Sequence, residues 1–312
     1  MKIVFFGSSG FSASILQKLI ASNWQVSLVV TIPAGKKGRG QKLSESQVEL
    51  LARKAFIPVM TPEKLKDNDV LAKLKSECAD CLVVASYGKM LPTELLNACA
   101  HPLNVHPSLL PKYRGASPII SQLLDGIRES GTTIARVTEK LDAGGIVAQK
   151  KVLLTEDDSL ISAEKKLMAA SGELLLEVLQ TIKNNTYRLI PQDESKASYV
   201  SKLDKEMGKI DWSQSASYIH NQIRAFVSWP TAYTYLKGRR VKLLQSKVES
   251  HTKNSVNSNP GVVYDIKKTG SALISCGTGA LELIQIQPES GKPMTPYSYS
   301  VGNQLSTGDC FE

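Results

Sequence analysis

The chain has 312 residues, 42% hydrophobic and 21% charged, and carries a formal net charge of +9. That length allows two domains with real cores, and the composition excludes a disordered or collagen-like chain. No apolar run approaches the roughly 20 residues that cross a bilayer, and the basic balance favours a polyanionic partner without naming one.

Residues 2–6, apolar from Ile3 onward, predict a buried strand ending at Gly7, and helical spacing follows from Phe11 to Ala21. Because Lys2 leads into only four residues before the Gly7-Ser8-Ser9-Gly10 turn, a secretory leader is not expected, and a cytoplasmic location is. The turn lacks the third glycine of a dinucleotide fingerprint, and no well-placed acidic residue follows, so a nicotinamide oxidoreductase is disfavoured. Strands are predicted at Val26–Val30, Cys81–Ala85 and Leu103–Val105, alternating with helices near Gln47–Ala55, Asp67–Ser76 and Ser117–Leu124. That alternation predicts a doubly wound, parallel α/β sheet.

Two more strands are predicted at Thr132–Val137 and Ile146–Leu154, then a long helix from Ser159 to Ile182. Residues 190–209 are polar and basic, the texture of a linker. Beyond them a helix at Ser213–Phe226 precedes short strands punctuated by glycines, a pattern that suggests a small barrel. The domain plan is therefore 1–189, a linker at 190–209, and 210–312. Five cysteines are spread without the density of a disulfide scaffold, so reduced thiols are expected, and Cys78-x-x-Cys81, with no second pair to complete a metal site, reads as two buried structural thiols.

Chemistry concentrates in one segment. Residues two apart on a strand face the same side, so Asn104 and His106 should project together from the carboxyl end of their strand, where open parallel sheets bind ligands. Asp142 lies in the Leu141-Asp142-Ala143-Gly144-Gly145 turn, where small residues let a substrate approach the backbone. Amide, imidazole and carboxylate would complete a set capable of oxyanion stabilisation and proton transfer. Read singly, His106 is more often a histidine that caps or packs in a turn, and Asp142 more often a structural turn residue.

The run from Asn104 through Pro118, followed by Leu141-Asp142-Ala143-Gly144, resembles the signature of the enzymes that take 10-formyltetrahydrofolate as formyl donor. Three further features resemble the branch of that family that acts on initiator methionyl-tRNA. They are the glycine-interrupted basic loop at Pro33–Leu43, the Tyr199–Glu206 stretch with Ile210–Ser213, and Ile223–Tyr233. The resemblance runs collinearly from Lys2 to about Gln287.

It implies a Rossmann-like catalytic domain with a mostly parallel sheet, and a smaller carboxyl-terminal β-barrel domain of OB-like kind that helps to bind tRNA. The implied reaction moves the formyl group to the methionine α-amino group through a tetrahedral intermediate, for translation initiation. Asn104 would donate to the developing oxyanion, His106 would act in acid–base transfer, and Asp142 would favour the protonated imidazole and position a relaying water. Ser108, Leu109, Leu110 and Pro111 would hold the folate, and Lys36, Lys37, Arg39 and Lys42 would meet tRNA phosphates. No metal, no membrane and a monomer are expected. A second cationic group, Lys237, Arg239, Arg240 and Lys242, is left open between tRNA and solvent. The nearest alternative is a related formyltransferase acting on a purine precursor ribonucleotide or an amino sugar nucleotide; a catalytically silent RNA-binding protein is the rival from another class.

Overall fold

The computed structural model describes every residue except Asn23, residues 38–41, residues 250–258 and Asn303, and gives only the backbone of residues 36, 37, 42 and 43. Two compact units form: Met1–Pro118, Glu129–Leu153 and Glu164–Ser201 make one, and Ile119–Arg128, Leu154–Ala163 and Lys202–Glu312 the other.

The elements begin β1 (Lys2–Gly7), α1 (Gly10–Ile20), β2 (Gln25–Val30), β3 (Gly35–Lys37), β4 (Lys42–Ser44), α2 (Gln47–Lys54) and β5 (Val59–Met60). They continue with α3 (Asn68–Ser76), β6 (Cys81–Ala85), α4 (Thr93–Asn97), β7 (His101–His106), β8 (Arg114–Gly115) and α5 (Pro118–Leu124). Next come β9 (Glu129–Arg136), β10 (Ile146–Leu153), α6 (Leu160–Lys183), β11 (Tyr199–Val200) and α7 (Ala216–Ala225). The chain closes with β12 (Tyr233–Leu236), β13 (Arg239–Val248), β14 (Val263–Ile266), β15 (Ala272–Ser275), β16 (Ala280–Pro288) and α8 (Pro296–Val301).

The first unit is built on a seven-stranded sheet in the order β10-β9-β7-β6-β1-β2-β5. β5, β2, β1, β6 and β7 are parallel, whereas β9 is antiparallel to β7 and β10 to β9. Continuous apolar runs in β1 and β6 follow from their central place, where both faces are covered. On one face Val4, Phe6, Leu28, Val30, Leu82 and Val84 join Tyr87, Leu91, Leu95 and Leu96 in a single apolar cluster. The chain runs outward from β1 through β2 and β5, then returns to β6 and β7, which creates a topological switch point between β1 and β6. At that point Ser9 caps α1 by accepting from Ser12 N–H, the tight strand-to-helix turn expected of Gly7–Gly10.

The second unit carries an antiparallel sheet, β12-β13-β16-β15-β14, curled where β13 shifts register around Gln245. α7 packs on β13 and β16. The outer strands are joined through the last residues of the chain. Tyr235 and Glu312 exchange both backbone hydrogen bonds, while Phe311 N–H donates to Gly261 and Val263 N–H donates to Asp309. Both sheet edges are thereby paired, which removes exposed ladder groups. Phe311 stacks on Trp212 with ring centroids 5.6 Å apart.

Arg224, 6% exposed, donates to the carbonyls of Leu123, Thr155 and Asp158, so the segments at 119–128 and 154–163 are tied to α7. All five cysteines are free; Cys81 is buried as expected but Cys78, expected to be buried with it, is exposed, while Cys99 and Cys276 are buried and Cys310 is exposed. Cys78 has φ +48 at the turn entering β6, which turns it away from the strand that buries Cys81. No helix among the described residues is long and apolar enough to cross a membrane.

Candidate active site

β7 presents Asn104 and His106 on one face, as residues two apart must be, and pairs them with Ala135 and Thr133 of β9. Asp142 comes from the loop between β9 and β10. The three side chains converge at the carboxyl end of β7. Asn104 Nδ2 donates to Asp142 Oδ1 at 2.8 Å, and Gly115 N–H donates to Asp142 Oδ2 at 2.8 Å. Both carboxylate oxygens are thus engaged and the side chain has one orientation. His106 Nδ1 stands 3.7 Å from Asp142 Oδ2, too far for a direct hydrogen bond.

The tautomer of His106 follows from its other nitrogen. Nε2 lies 2.8 Å from the Tyr113 carbonyl oxygen, which can only accept, so Nε2 carries a hydrogen. Nδ1 is then the nitrogen that can take or give a proton, and it is the one turned to Asp142. His106 and Asp142 side chains are only 5% and 9% exposed, so charge placed there is poorly screened by solvent.

Backbone geometry around Asp142 is unusual. Asp142 itself has φ +50, a left-handed conformation that aspartate tolerates better than most residues. Gly144 passes so close to the Arg136 carbonyl that no Cβ could be accommodated, and Gly115, at φ +121, leaves no room for one against the Val200 carbonyl. The Gly115 N–H reaches the carboxylate from a position where only a glycine fits against Val200.

The β9–β10 hairpin holds the segment after His106. Thr132 Oγ1 donates to the His106 carbonyl; Thr133 Oγ1 donates to the Ser108 carbonyl and accepts from Leu110 N–H. Gln149 Nε2 donates to the Leu110 carbonyl at 2.8 Å. Ser108 and Leu110 are buried, with these groups committed within the chain, while Leu109 and Pro111 are half-buried. The peptide bond between Leu110 and Pro111 is cis.

Of the expected tRNA residues, Arg39 lies outside the described residues. Lys36, Lys37 and Lys42 fall on the β3–β4 pair, where Lys37 is the backbone partner of Lys42. In the second cationic group Lys237 pairs with Asp309 at 2.8 Å, Arg239 donates to Gln304, and Arg240 lies 3.8 Å from the centre of the Tyr233 ring. Three of its four cations thus have partners within the chain.

Sequence reasoning did not single out Gly115, Thr132, Thr133, Gln149 or Gln192. Gly115 lies inside the quoted motif, yet its role depends on its backbone N–H, which no residue type reports. Gln192 sits in a polar stretch whose composition resembles a linker, and only its neighbours reveal its place.

The model for formyl transferase matches residues 1–179, and the model for the formyl transferase C-terminal domain matches residues 202–304. A methionyl-tRNA formyltransferase of Sulfurihydrogenibium sp. (strain YO3AOP1) is 39% identical, with 100% of each chain covered. One from Staphylococcus epidermidis (strain ATCC 12228 / FDA PCI 1200) is also 39% identical, over 98% of this chain and 97% of that one. Among solved structures, an N-formyltransferase from Helicobacter canadensis in complex with folinic acid and dTDP-3-aminofucose superposes with a TM-score of 0.67 at 21% identity, covering 93% of this chain and 100% of that one. HypX from Aquifex aeolicus in complex with tetrahydrofolic acid gives 0.62 at 18% identity, over 98% of this chain and 48% of HypX.

Proposed function

The chain belongs to the formyl transferase family, and from that premise we infer that it moves the formyl group of 10-formyltetrahydrofolate to the α-amino group of methionine on initiator tRNA. The full-length likeness to methionyl-tRNA formyltransferases supports the acceptor; the convergence of Asn104, His106 and Asp142 carries the reading of the site.

The residues present fit a folate-borne formyl group. A half-buried amide donor and two proton-carrying side chains meet beside a loop whose Leu109 and Pro111 remain partly accessible. The folate, when bound, supplies the formyl carbon and a nitrogen leaving group. Asn104 uses one amide hydrogen on Asp142 and has a second for an oxygen that gains negative charge. His106 Nδ1 and Asp142 Oδ2 stand 3.7 Å apart, and a water positioned by Asp142 relays the proton from the attacking amine to the leaving nitrogen. One carbon–nitrogen bond forms, another breaks, and the proton count is unchanged. Ser108 and Leu110 set the loop's shape, while Leu109 and Pro111 meet the folate.

Lys36, Lys37, Arg39 and Lys42 bind the tRNA backbone as point charges that release counterions. Residues 1–189 are the catalytic domain, 190–209 the linker and 210–312 the tRNA-binding barrel domain. The protein acts as a cytoplasmic monomer. The deciding assay incubates pure protein with 10-formyltetrahydrofolate and either charged initiator tRNA or small amine acceptors. Formylmethionyl-tRNA as sole product is expected; a formylated nucleotide sugar or ribonucleotide in its place overturns the acceptor assignment.

A further inference from the structure

We propose that Gln192 is a positioning residue for formyl transfer, holding the Asp142 turn in its reactive conformation through two backbone carbonyls. This rests on the reading of Asp142 as the proton-carrying carboxylate. Gln192 Nε2 donates to the Asp142 carbonyl at 2.8 Å and to the Gly144 carbonyl at 2.7 Å. Its Oε1 accepts from Arg114 Nε at 3.1 Å and Nη2 at 2.8 Å. Both amide hydrogens and both oxygen lone pairs are used, and the partners permit one amide orientation only, since a guanidinium cannot accept and a carbonyl cannot donate.

Arg114 is itself fixed. It is fully buried, and its guanidinium also donates twice to the Glu194 carboxylate, at 3.0 and 2.8 Å, and to the Tyr199 hydroxyl at 2.9 Å. The residue after it, Gly115, supplies the N–H that meets Asp142 Oδ2. One network therefore grips Asp142 at its carboxylate and at its backbone. The grip has a physical purpose, because φ +50 is a sparsely populated conformation for a residue with a side chain and persists only where the surroundings enforce it. Gln192 stands 50 residues from Asp142 in sequence, so the turn is held from a remote segment of the chain.

The test is Gln192→Glu in the full chain. Glutamate keeps the side-chain shape and an acceptor facing Arg114, but sets a carboxylate oxygen against two carbonyls that formerly received amide hydrogens. A folded variant with kcat lowered about 10- to 100-fold, and KM for both folate and charged tRNA within about 3-fold of wild type, is expected from a slightly misplaced catalytic group. Should glutamate unfold the chain, Gln192→Met, similar in volume and without polar atoms, carries the same expectation. Wild-type kcat in the variant, with Asp142→Asn inactive in the same assay, overturns the inference and leaves the role of Asp142 standing. Raised KM at unchanged kcat also overturns it. Wild-type turnover in Asp142→Asn overturns both.

Discussion

Asn104 Nδ2 donates to Asp142 Oδ1 at 2.8 Å although the two residues stand 38 apart in the chain. A strand residue and a loop residue thus fix each other's orientation. Truncating either one frees the other to turn, so under the proposed mechanism both the amide donor and the carboxylate beside His106 are disturbed at once.

Asp142→Asn replaces an acceptor of two hydrogen bonds with a group that can accept at only one end, so the contact with either Asn104 or Gly115 is lost. Turnover is expected to fall on the order of 10²- to 10⁴-fold, with the melting temperature near that of wild type. Asn104→Ala is expected to cost on the order of 10²- to 10³-fold. Single-turnover formylation and thermal unfolding of the same preparations check both; retained turnover in either variant removes that residue from the chemistry.

Neutralising Lys36, Lys37 and Arg39 together should weaken tRNA binding and reduce the slope of log K against log salt by about 2 to 3, since each lost phosphate contact removes roughly 0.7–0.9 of a unit. Binding titrations at several salt concentrations read the slope directly. An unchanged slope excludes these side chains from phosphate contact.

The carboxyl-terminal residues should prove structural. Phe311 is 3% exposed and stacks on Trp212, whose indole N–H donates to Thr234, which in turn donates to the Glu312 carbonyl. Phe311→Ala should destabilise the second unit by about 3–5 kcal/mol. Deleting residues 308–312 should do at least as much, because the outer strands lose their backbone partners. Denaturant unfolding followed by tryptophan fluorescence reports the loss, and a wild-type midpoint in the truncated chain would show that the tail is dispensable.

His220 gives a pH dependence with a definite sign. Burial holds its pKa below the usual histidine value. Nε2 donates to the Glu156 carbonyl, and in the neutral ring Nδ1 accepts from the Ser246 hydroxyl. The unfolded chain therefore binds the proton more readily. The stabilisation is complete above about pH 6.5 and is lost as pH falls through that ordinary value towards the depressed one. His101, also lowered by burial, adds in the same sense. Wild type should lose several degrees of melting temperature between pH 7.5 and pH 5, and His220→Gln should lose fewer; identical pH profiles would eliminate His220 as a contributor.

Tyr87 tests a buried group with no assigned task. Its ring packs edge-on to Phe6 in the core, only 2% of its surface is exposed, and its hydroxyl has no hydrogen-bond partner among the described residues. Burial pushes its pKa up to about 12, so the hydroxyl stays neutral at physiological pH. Removing an unsatisfied hydroxyl is neutral or stabilising by about 1 kcal/mol, so Tyr87→Phe should match or exceed wild type in melting temperature and keep its turnover. Reduced turnover would mean that the hydroxyl serves the folate.

Much of this protein could be read along the chain. Hydrophobic periodicity located β1, α1, β6, β7 and α6 to within a few residues, because central strands buried on both faces and amphipathic helices each impose a strong local pattern. Pairs such as β8–β11 escaped, being two residues long and held by contacts 85 positions apart. The period of a strand also put Asn104 and His106 on one side without any knowledge of the sheet.

What the sequence by itself determined, then, was the class of sheet, the family, and the residue types available to the chemistry, since these follow from local pattern and from a collinear motif. Only the tertiary structure decided which nitrogen of His106 faces Asp142, that Gly115 and Gln192 brace that turn, and that residues 308–312 join the outer strands of the second sheet. Those facts are hydrogen bonds between segments remote in sequence. They depend on register and on close backbone approach, which the identity of a residue constrains but does not specify.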